Sequence, residues 1–398
     1  MRFHVLDSWR GIAALLVAIF HLNVLSAIYS LDFIRNAYLF VDFFFVLSGF
    51  VITHSYGDRM ATLDGVGTFA LRRFSRLWPL HAVVLVVFVI VESGKAFMAA
   101  RGANFYAPPF SGSTAPNAVF MHLAFAQAMG IENQLTWNPP SWSIAAEFWT
   151  YMIFAATLHI AATGLSRVRF AAEGLLAILL IGSVAILLRY SAHGIDATFD
   201  LGMFRCIYGF LVGHFVYRLW RVCPRAVFDS PLVEIAVVIG AFTYVSMAGH
   251  SAYSFLAPVV FGVVVLVFAF EAGPVSKLLS NRGSEWLGRI SYSIYMWQAF
   301  VIFNLVDRPV SIVEKFTHKM FTVVGANSAL GGEAGKLIVL SGHFMPLLVT
   351  ALYLLVLVAV ASISYRLFEV PGQVWFGPAA PLRERAKGQI TPHKAMLR

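Results

Sequence analysis

Long apolar stretches separated by short polar loops run through most of this chain. A membrane-spanning helix needs about 20 consecutive, mostly apolar residues. That length predicts about ten spanning helices, at residues 9–29, 37–57, 78–95, 144–163, 171–189, 202–219, 232–249, 254–271, 286–306 and 345–367. The shorter stretch 117–131 follows a proline and precedes a polar run, so we expect it to be re-entrant or interfacial. The pattern therefore predicts an all-α polytopic membrane protein, a bundle of about ten transmembrane helices.

Composition and loop charge agree with that class of protein. Hydrophobic residues make up 59% of the chain and charged residues 12%, against about 25% charged in soluble domains. The net charge of +9 lies in short loops, as expected for loops facing the cytoplasm, and does not indicate nucleic-acid binding. If 117–131 does not span, the basic loops share one side and both termini are cytoplasmic. We expect one membrane domain at 1–372 and a basic, disordered cytoplasmic tail at 373–398.

The first predicted helix carries two ionisable residues, Arg10 and His21. Eleven residues correspond to about three helical turns, so both side chains lie on one face, separated by roughly 16 Å. If the helix enters the bilayer near Arg10, His21 lies near its middle. An ionisable group there is costly without a partner or a polar cavity, which makes a functional site the first interpretation. The alternative is a structural histidine that bonds a neighbouring helix.

The stretch RRFSRLWP, residues 72–79, is read as a cytoplasmic loop that runs into the third span. Arg72, Arg73 and Arg76 form a dense cationic patch there, and guanidinium groups suit bidentate contacts with phosphate. The alternative is an anchor that only sets the orientation of the neighbouring helices in the membrane.

Other polar residues are expected around a cavity on the outer side. Asn138 and Pro139 are predicted to start the fourth span as N-cap and first helical residue. Glu147 follows in its first turns, as a ligand-binding or orienting carboxylate or as an interfacial one. Asp42, in the second span, should need a partner near the outer face. The remaining candidates for the acceptor side or the cavity are Ser48, Trp142, Ser143, Tyr151, Tyr292 and Tyr295.

Several motifs together resemble acyltransferase family 3, the integral membrane acyltransferases of bacterial O-antigens, exopolysaccharides and Nod factors. These are the Arg10–His21 spacing, FFVLSGF at 44–50, RRFSRLWP, PSWSIAAEFWTY at 140–151, LGRISYSIYMW at 287–297 and FEVP at 368–371. The resemblance implies a multi-pass protein of the bacterial inner membrane that transfers an acyl group, usually acetyl, from acyl-CoA to a carbohydrate hydroxyl. It implies no tightly bound cofactor, with acetyl-CoA as co-substrate and a carbohydrate or glycolipid as acceptor.

The same resemblance assigns roles to residues. His21 would be the essential histidine, with Arg10 and Glu147 as further candidate catalytic residues. Arg72, Arg73 and Arg76 would bind the acyl donor, with Arg10 also serving it. One departure is that Gln298 stands where family members often have histidine, so no second catalytic histidine is expected there. The twelve histidines are scattered, so no metal site is expected.

Two questions stay open at this level. His21 suits a general base, which would take the proton of the attacking hydroxyl, or a nucleophile that becomes acylated itself. Intramembrane His, Asp and Glu also suit a secondary transporter, although no internal repeat is visible. A third possibility is an acyltransferase that acts on a lipid acceptor.

Basic residues are distributed unequally between the loops, and this predicts a topology that can be tested. We expect positions 72, 221 and 277 to face the cytoplasm, and position 137 and the 308–344 segment to face outward. Single cysteines at these positions would be labelled with a membrane-impermeant reagent. External labelling at position 221 would contradict both the orientation and the count of spans.

Overall fold

The computed structural model describes residues 2–105, 107–228, 230–324, 336–342 and 344–378, and most of them are helical. The helices are α1 His4–His21, α2 Asp32–Arg35, α3 Phe40–Tyr56, α4 Leu63–Ala100, α5 Pro116–Leu123, α6 Trp142–Gly164, α7 Ala171–Tyr190, α8 Gly202–Val222, α9 Pro231–Ala248, α10 Ala257–Phe268, α11 Pro274–Leu279, α12 Arg282–Val301, α13 Arg308–Thr317, α14 Phe344–Ser364 and α15 Val370–Trp375. Two short strands, β1 Thr322–Val324 and β2 Lys336–Ile338, pair in antiparallel register.

Six helical segments are long and apolar enough to cross a membrane: Ala37–Tyr56, Leu63–Ala100, Pro139–Gly164, Ala171–Tyr190, Pro231–Ala248 and Phe344–Trp375. The other expected spans contain α1, α8, α10 and α12. Helices α1, α8 and α12 carry buried polar residues, which lower their hydropathy, and α10 has only 12 residues. The polytopic helical class is thus confirmed, and the count of ten stays a prediction.

Residues 72–79 were expected to form a loop, but they are part of helix α4. The three arginines lie inside a continuous 38-residue helix that starts at Leu63, where the Thr62 side chain accepts a hydrogen bond from the Gly65 amide. Residues three apart share a helix face, whereas adjacent residues diverge by about 100°. Arg73 and Arg76 therefore point together into the bundle, and Arg72 is exposed.

The start of α6 differs from the expected capped helix. A single 3₁₀ turn, Pro139–Ser141, precedes the helix, and the Asn138 side chain caps neither. Instead its Nδ2 donates a hydrogen bond of 3.1 Å to the backbone carbonyl of Met296 on α12. The expected re-entrant segment contains only α5, whose eight residues span about 12 Å and are too short to cross a bilayer.

Helices α1 and α12 form the most extensive helix pair of the bundle. They run parallel, since Arg10 contacts Gly288 and Ser291 near the start of α12 while His21 contacts Gln298 near its end. Glycine allows the close approach: a Cβ added at Gly11 would lie 2.7 Å from the backbone nitrogen of Gly288. Small residues at such contacts are typical of packed membrane helices.

Helices at the outside of the bundle bury a much smaller share of their residues than the helix at its centre. In the most apolar windows of α7 and α9, 17% of residues are buried, against 78% in the Ala37–Tyr56 segment. Helix α3 thus lies at the centre, packed against α8 and α10. The expected disordered tail begins at residue 373, and its residues 379–398 lie outside the described residues.

Candidate active site

One cavity of the bundle, of about 160 Å³, is lined by three arginines. Arg10 of α1 and Arg73 and Arg76 of α4 line it. We call it the arginine cavity. Its other lining residues are mainly those of α3, α6 and α12, among them Phe44, Ser48, Ser143, Glu147, Tyr151, Ser291, Tyr292 and Tyr295. Residues from five helices that are distant in sequence therefore form one polar, cation-rich cavity.

The three arginines differ in how fully the protein satisfies them. Arg10 donates to Ser291 Oγ at 3.0 Å and to the Gly288 carbonyl at 2.9 Å, and its Nη2 lies 3.3 Å from an Asp7 carboxylate oxygen. Arg73 donates only to the Tyr56 hydroxyl, at 3.3 Å, and its Nε is buried without a partner among the described residues. Arg73 is thus the arginine with the most capacity left for a ligand.

Arg76 is held by a carboxylate that the sequence reasoning did not single out. Glu369, in the π-helical stretch Tyr365–Glu369 between α14 and α15, forms a direct ion pair with Arg76. Its second oxygen accepts a hydrogen bond of 2.6 Å from Ser293 on α12. Glu369 belongs to the FEVP motif, and a carboxylate in an otherwise apolar segment was the available signal.

A short hydrogen-bond chain also lines the arginine cavity. The Tyr151 hydroxyl donates to Glu147 at 2.5 Å and lies 2.6 Å from Ser48 Oγ. Glu147 and Tyr151 are four residues apart on α6 and share one helix face. As candidates for the acceptor side or the cavity, Ser48, Ser143, Tyr151 and Tyr292 thus line the same cavity as the arginines, and Glu147 lies there with them.

A second, larger cavity of about 470 Å³ contains His21. We call it the histidine cavity. Val41 and Tyr295 line both cavities, so these two side chains form the wall between them. Polar and aromatic residues line the rest, including Arg35, Tyr38, Gln134, Trp142, His193, Asp196, Arg205 and His250. Of the expected acceptor-side residues, Trp142 and Tyr295 lie here.

His21 is the last residue of α1, and its hydrogen bonds fix its tautomer. Nδ1 lies 2.9 Å from the Val17 carbonyl and 3.2 Å from Oε1 of Gln298. The Gln298 amide is itself oriented, since its Nε2 donates to the Tyr295 carbonyl at 3.1 Å. Both partners of Nδ1 are acceptors, so Nδ1 carries the hydrogen and Nε2 of the neutral ring keeps its lone pair. Gln298, noted in the sequence only as a missing histidine, thus orients His21.

Asp42, expected on the acceptor side or in the cavity, lines neither of the two cavities. It is fully buried and accepts two hydrogen bonds from Arg205 of α8, at 3.0 and 2.9 Å. The expected need for a partner is met in this way. Arg205 also contacts Asp196 at 3.1 Å, and Asp196 lies 3.6 Å from Nδ1 of His250, which stacks on Tyr38. This network joins α3, α8 and two loops, and Tyr38, Asp196, Arg205 and His250 line the histidine cavity.

Comparison with known proteins identifies the family of this chain. A family model described as an acyltransferase domain (Acyl_transf_3) matches residues 3–366. The chain belongs to acyltransferase family 3. This agrees with the resemblance that the motifs suggested, and the apolar helices indicate a multi-pass membrane protein. No solved structure was found to match it.

Two O-acetyltransferase relatives match most of this chain, and a third relative matches a shorter part of it. The peptidoglycan O-acetyltransferase OatA of Listeria monocytogenes is 24% identical, covering 75% of this chain and 49% of the relative. A putative O-acetyltransferase of Staphylococcus aureus is 23% identical, covering 81% of this chain and 55% of the relative. Protein 2 in the picA locus of Rhizobium radiobacter is 39% identical over 89 residues, 22% of this chain and 44% of the relative. The chain thus spans about half the length of these relatives.

The Asp42–Arg205 pair generates a stability prediction. Removing one partner leaves the other charge buried and unpaired, which costs about 3–5 kcal/mol. Asp42→Asn and Arg205→Gln should each lower the Tm of the detergent-solubilised protein strongly. The control is Arg218→Gln, whose ion pair with Glu173 is half exposed and worth at most about 1 kcal/mol. A Tm for Asp42→Asn equal to that of the control would contradict the role of the pair.

Proposed function

We propose that this protein transfers an acyl group, most simply acetyl, from acyl-CoA to a hydroxyl of a carbohydrate. The observation that carries the proposal is the pair of adjoining cavities that share Val41 and Tyr295. One cavity holds the cations that an anionic donor needs, and the other holds a histidine with a free ring nitrogen. The O-acetyltransferase names of the relatives support the reaction.

Donor binding follows from the arginine cavity. Coenzyme A has phosphates at its nucleotide end and carries the thioester on a long flexible arm. Arg73 has an unused buried N–H and Arg10 and Arg76 add positive charge nearby, which suits phosphate or carbonyl oxygens. The arm would pass Tyr295 toward His21. At about 160 Å³ the arginine cavity is too small for the whole donor, so the nucleotide would lie outside it.

The chemistry is assigned to Nε2 of His21. As a general base, Nε2 takes the proton of the acceptor hydroxyl while its oxygen attacks the thioester carbonyl. The carbon–sulfur bond then breaks, and the thiolate of coenzyme A takes up that proton. In the covalent alternative, Nε2 attacks the thioester carbonyl, the carbon–sulfur bond breaks, and coenzyme A leaves as the thiolate. The acceptor hydroxyl then attacks the acyl carbon, the bond to Nε2 breaks, and the hydroxyl proton passes to the thiolate. Hydrogen-bonded Nδ1 orients the ring for either route.

The acceptor would occupy the histidine cavity. Its volume of about 470 Å³ suits a small number of sugar units, and aromatic rings beside polar groups suit the apolar and hydroxyl faces of a sugar. Exopolysaccharides, O-antigens, lipopolysaccharides and other cell-surface glycans are the proposed acceptor class. A lipid acceptor is less favoured, since Asn133, Gln134, His193 and Asp196 are polar lining residues.

We also propose ten spans in the bacterial inner membrane, with both termini cytoplasmic. The parallel run of α1 and α12 supports this count, because they are the first and ninth expected spans and must cross in the same direction. Arg10, Arg73 and Arg76 would then lie on the cytoplasmic side, where acyl-CoA is made. The histidine cavity would open outward, so that the acyl group crosses the membrane through the protein.

The donor site is tested by comparing neighbouring arginines of α4. Arg73→Ala should raise the KM for acetyl-CoA about 10- to 100-fold, the usual effect of losing a hydrogen bond to a charged group. Arg73→Lys should restore only part of the loss, because an ammonium lacks the planar fork. The measurement is release of the coenzyme A thiol by protein in lipid nanodiscs, with a carbohydrate acceptor present.

Arg72→Ala is the matched control, because Arg72 is exposed and lines neither cavity. Its KM should stay near that of the wild type. Equal effects of Arg72→Ala and Arg73→Ala would contradict the proposed donor site and favour a role in membrane orientation. Arg76 is less informative, since its removal leaves buried Glu369 without its cation.

A further inference from the structure

The histidine cavity contains one arginine that has no hydrogen-bond partner among the described residues. Arg35 lines this cavity, and none of its N–H groups donates a hydrogen bond to a described residue. Its Nη1 is also buried. The second arginine of the cavity, Arg205, is by contrast fully engaged by Asp42 and Asp196. Buried N–H groups without acceptors are costly and uncommon, so a ligand oxygen is the natural missing partner.

Aromatic stacking holds Arg35 in place without neutralising it. Its guanidinium carbon lies 4.3 Å from the ring centre of Tyr29 and 5.8 Å from that of Phe20. A stacked guanidinium uses its flat face and keeps its N–H edges free for a planar anion. Asp32, one turn earlier in α2, forms no ion pair with it within the described part of the chain. The charge of Arg35 is thus positioned but available.

Arg35 lies close enough to His21 for one ligand to reach both. The Phe20 ring centre is 5.8 Å from the guanidinium carbon and 5.0 Å from the centre of the His21 ring. The guanidinium carbon and the imidazole centre are therefore at most about 11 Å apart, a span that one or two sugar units bridge. A negative group at one end of an acceptor could bind Arg35 while a hydroxyl at the other end reaches Nε2.

The other charges of the cavity leave this position open for an anion. Asp196 is the carboxylate among the described lining residues, and it is occupied by Arg205 at 3.1 Å and His250 at 3.6 Å. The histidines of the lining, His21, His193 and His250, carry no negative charge, and Arg35 and Arg205 are cations. Repulsion of an anion by the protein is therefore limited to a carboxylate that is already paired.

We propose that the acceptor is an anionic carbohydrate whose carboxylate or phosphate binds Arg35. This inference rests on the proposed acyltransferase function and specifies its substrate class. The guanidinium would form two parallel hydrogen bonds to the anion, a geometry that is both stronger and more selective than contacts with neutral hydroxyls. Arg35 would thus select the acceptor and set the distance between its anionic group and the acylated hydroxyl.

The test compares matched acceptors. Protein in lipid nanodiscs receives acetyl-CoA with a neutral glucose oligosaccharide, the same oligosaccharide ending in glucuronate, or the same oligosaccharide ending in a phosphate. The ratio of kcat/KM for charged over neutral acceptor, from release of the coenzyme A thiol, should be about 10 to 100 in the wild type. The better of the two charged acceptors distinguishes a carboxylate from a phosphate. Arg35→Gln should bring the ratio close to one, and Arg35→Lys should retain part of it.

Arg101→Gln is the control, because Arg101 also stacks on a ring, with its guanidinium carbon 4.1 Å from the centre of Phe97, but lines neither cavity. It should keep the wild-type ratio. A wild-type ratio near one, or an unchanged ratio in Arg35→Gln, would overturn the role of Arg35 while leaving acyl transfer intact. No acceptor-dependent release of coenzyme A with any of the three sugars would overturn the proposed function as well.

Discussion

An ionisable group inside an apolar helix bundle must find a partner, and this requirement determines how the centre of this protein is built. Asp42 and Arg205 satisfy each other between α3 and α8, and Arg205 extends the network to Asp196. Arg76 and Glu369 do the same between α4 and the end of α14. These ion pairs hold in place helices that carry cavity residues. The geometry of the cavities therefore depends on the need to pair buried charges.

The groups that lack a hydrogen-bond partner among the described residues then become informative. Arg73 has a buried N–H without an acceptor, Arg35 donates no hydrogen bond to a described residue, and His21 keeps Nε2 free. All three line the two adjoining cavities. Because Arg10 and His21 are eleven residues apart on α1, this helix places Arg10 in one cavity and His21 in the other. One rigid helix pair thus links the proposed donor and acceptor sites.

Sequence periodicity and charge predicted the helical class, and the motifs predicted the family, because apolar length and short polar signatures are local properties. The partners of those residues were harder to find. Nothing local indicates that Asp42 pairs with Arg205 or Arg76 with Glu369, since tertiary packing alone joins them. The continuous helix through residues 72–79 was also missed, because a run of arginines before a proline is typical of a loop.

Replacing His21 tests the proposed chemistry most directly. Acetate from labelled acetyl-CoA is measured in polysaccharide, normalised to inserted protein, for wild type, His21→Ala and His21→Gln. Glutamine keeps a hydrogen-bonding side chain but supplies no base or nucleophile, so both variants should lose at least about 10²- to 10⁴-fold in rate. His318→Gln, at an exposed histidine, should transfer like the wild type. Near-wild-type transfer by His21→Gln would show that His21 is structural and contradict the proposed mechanism.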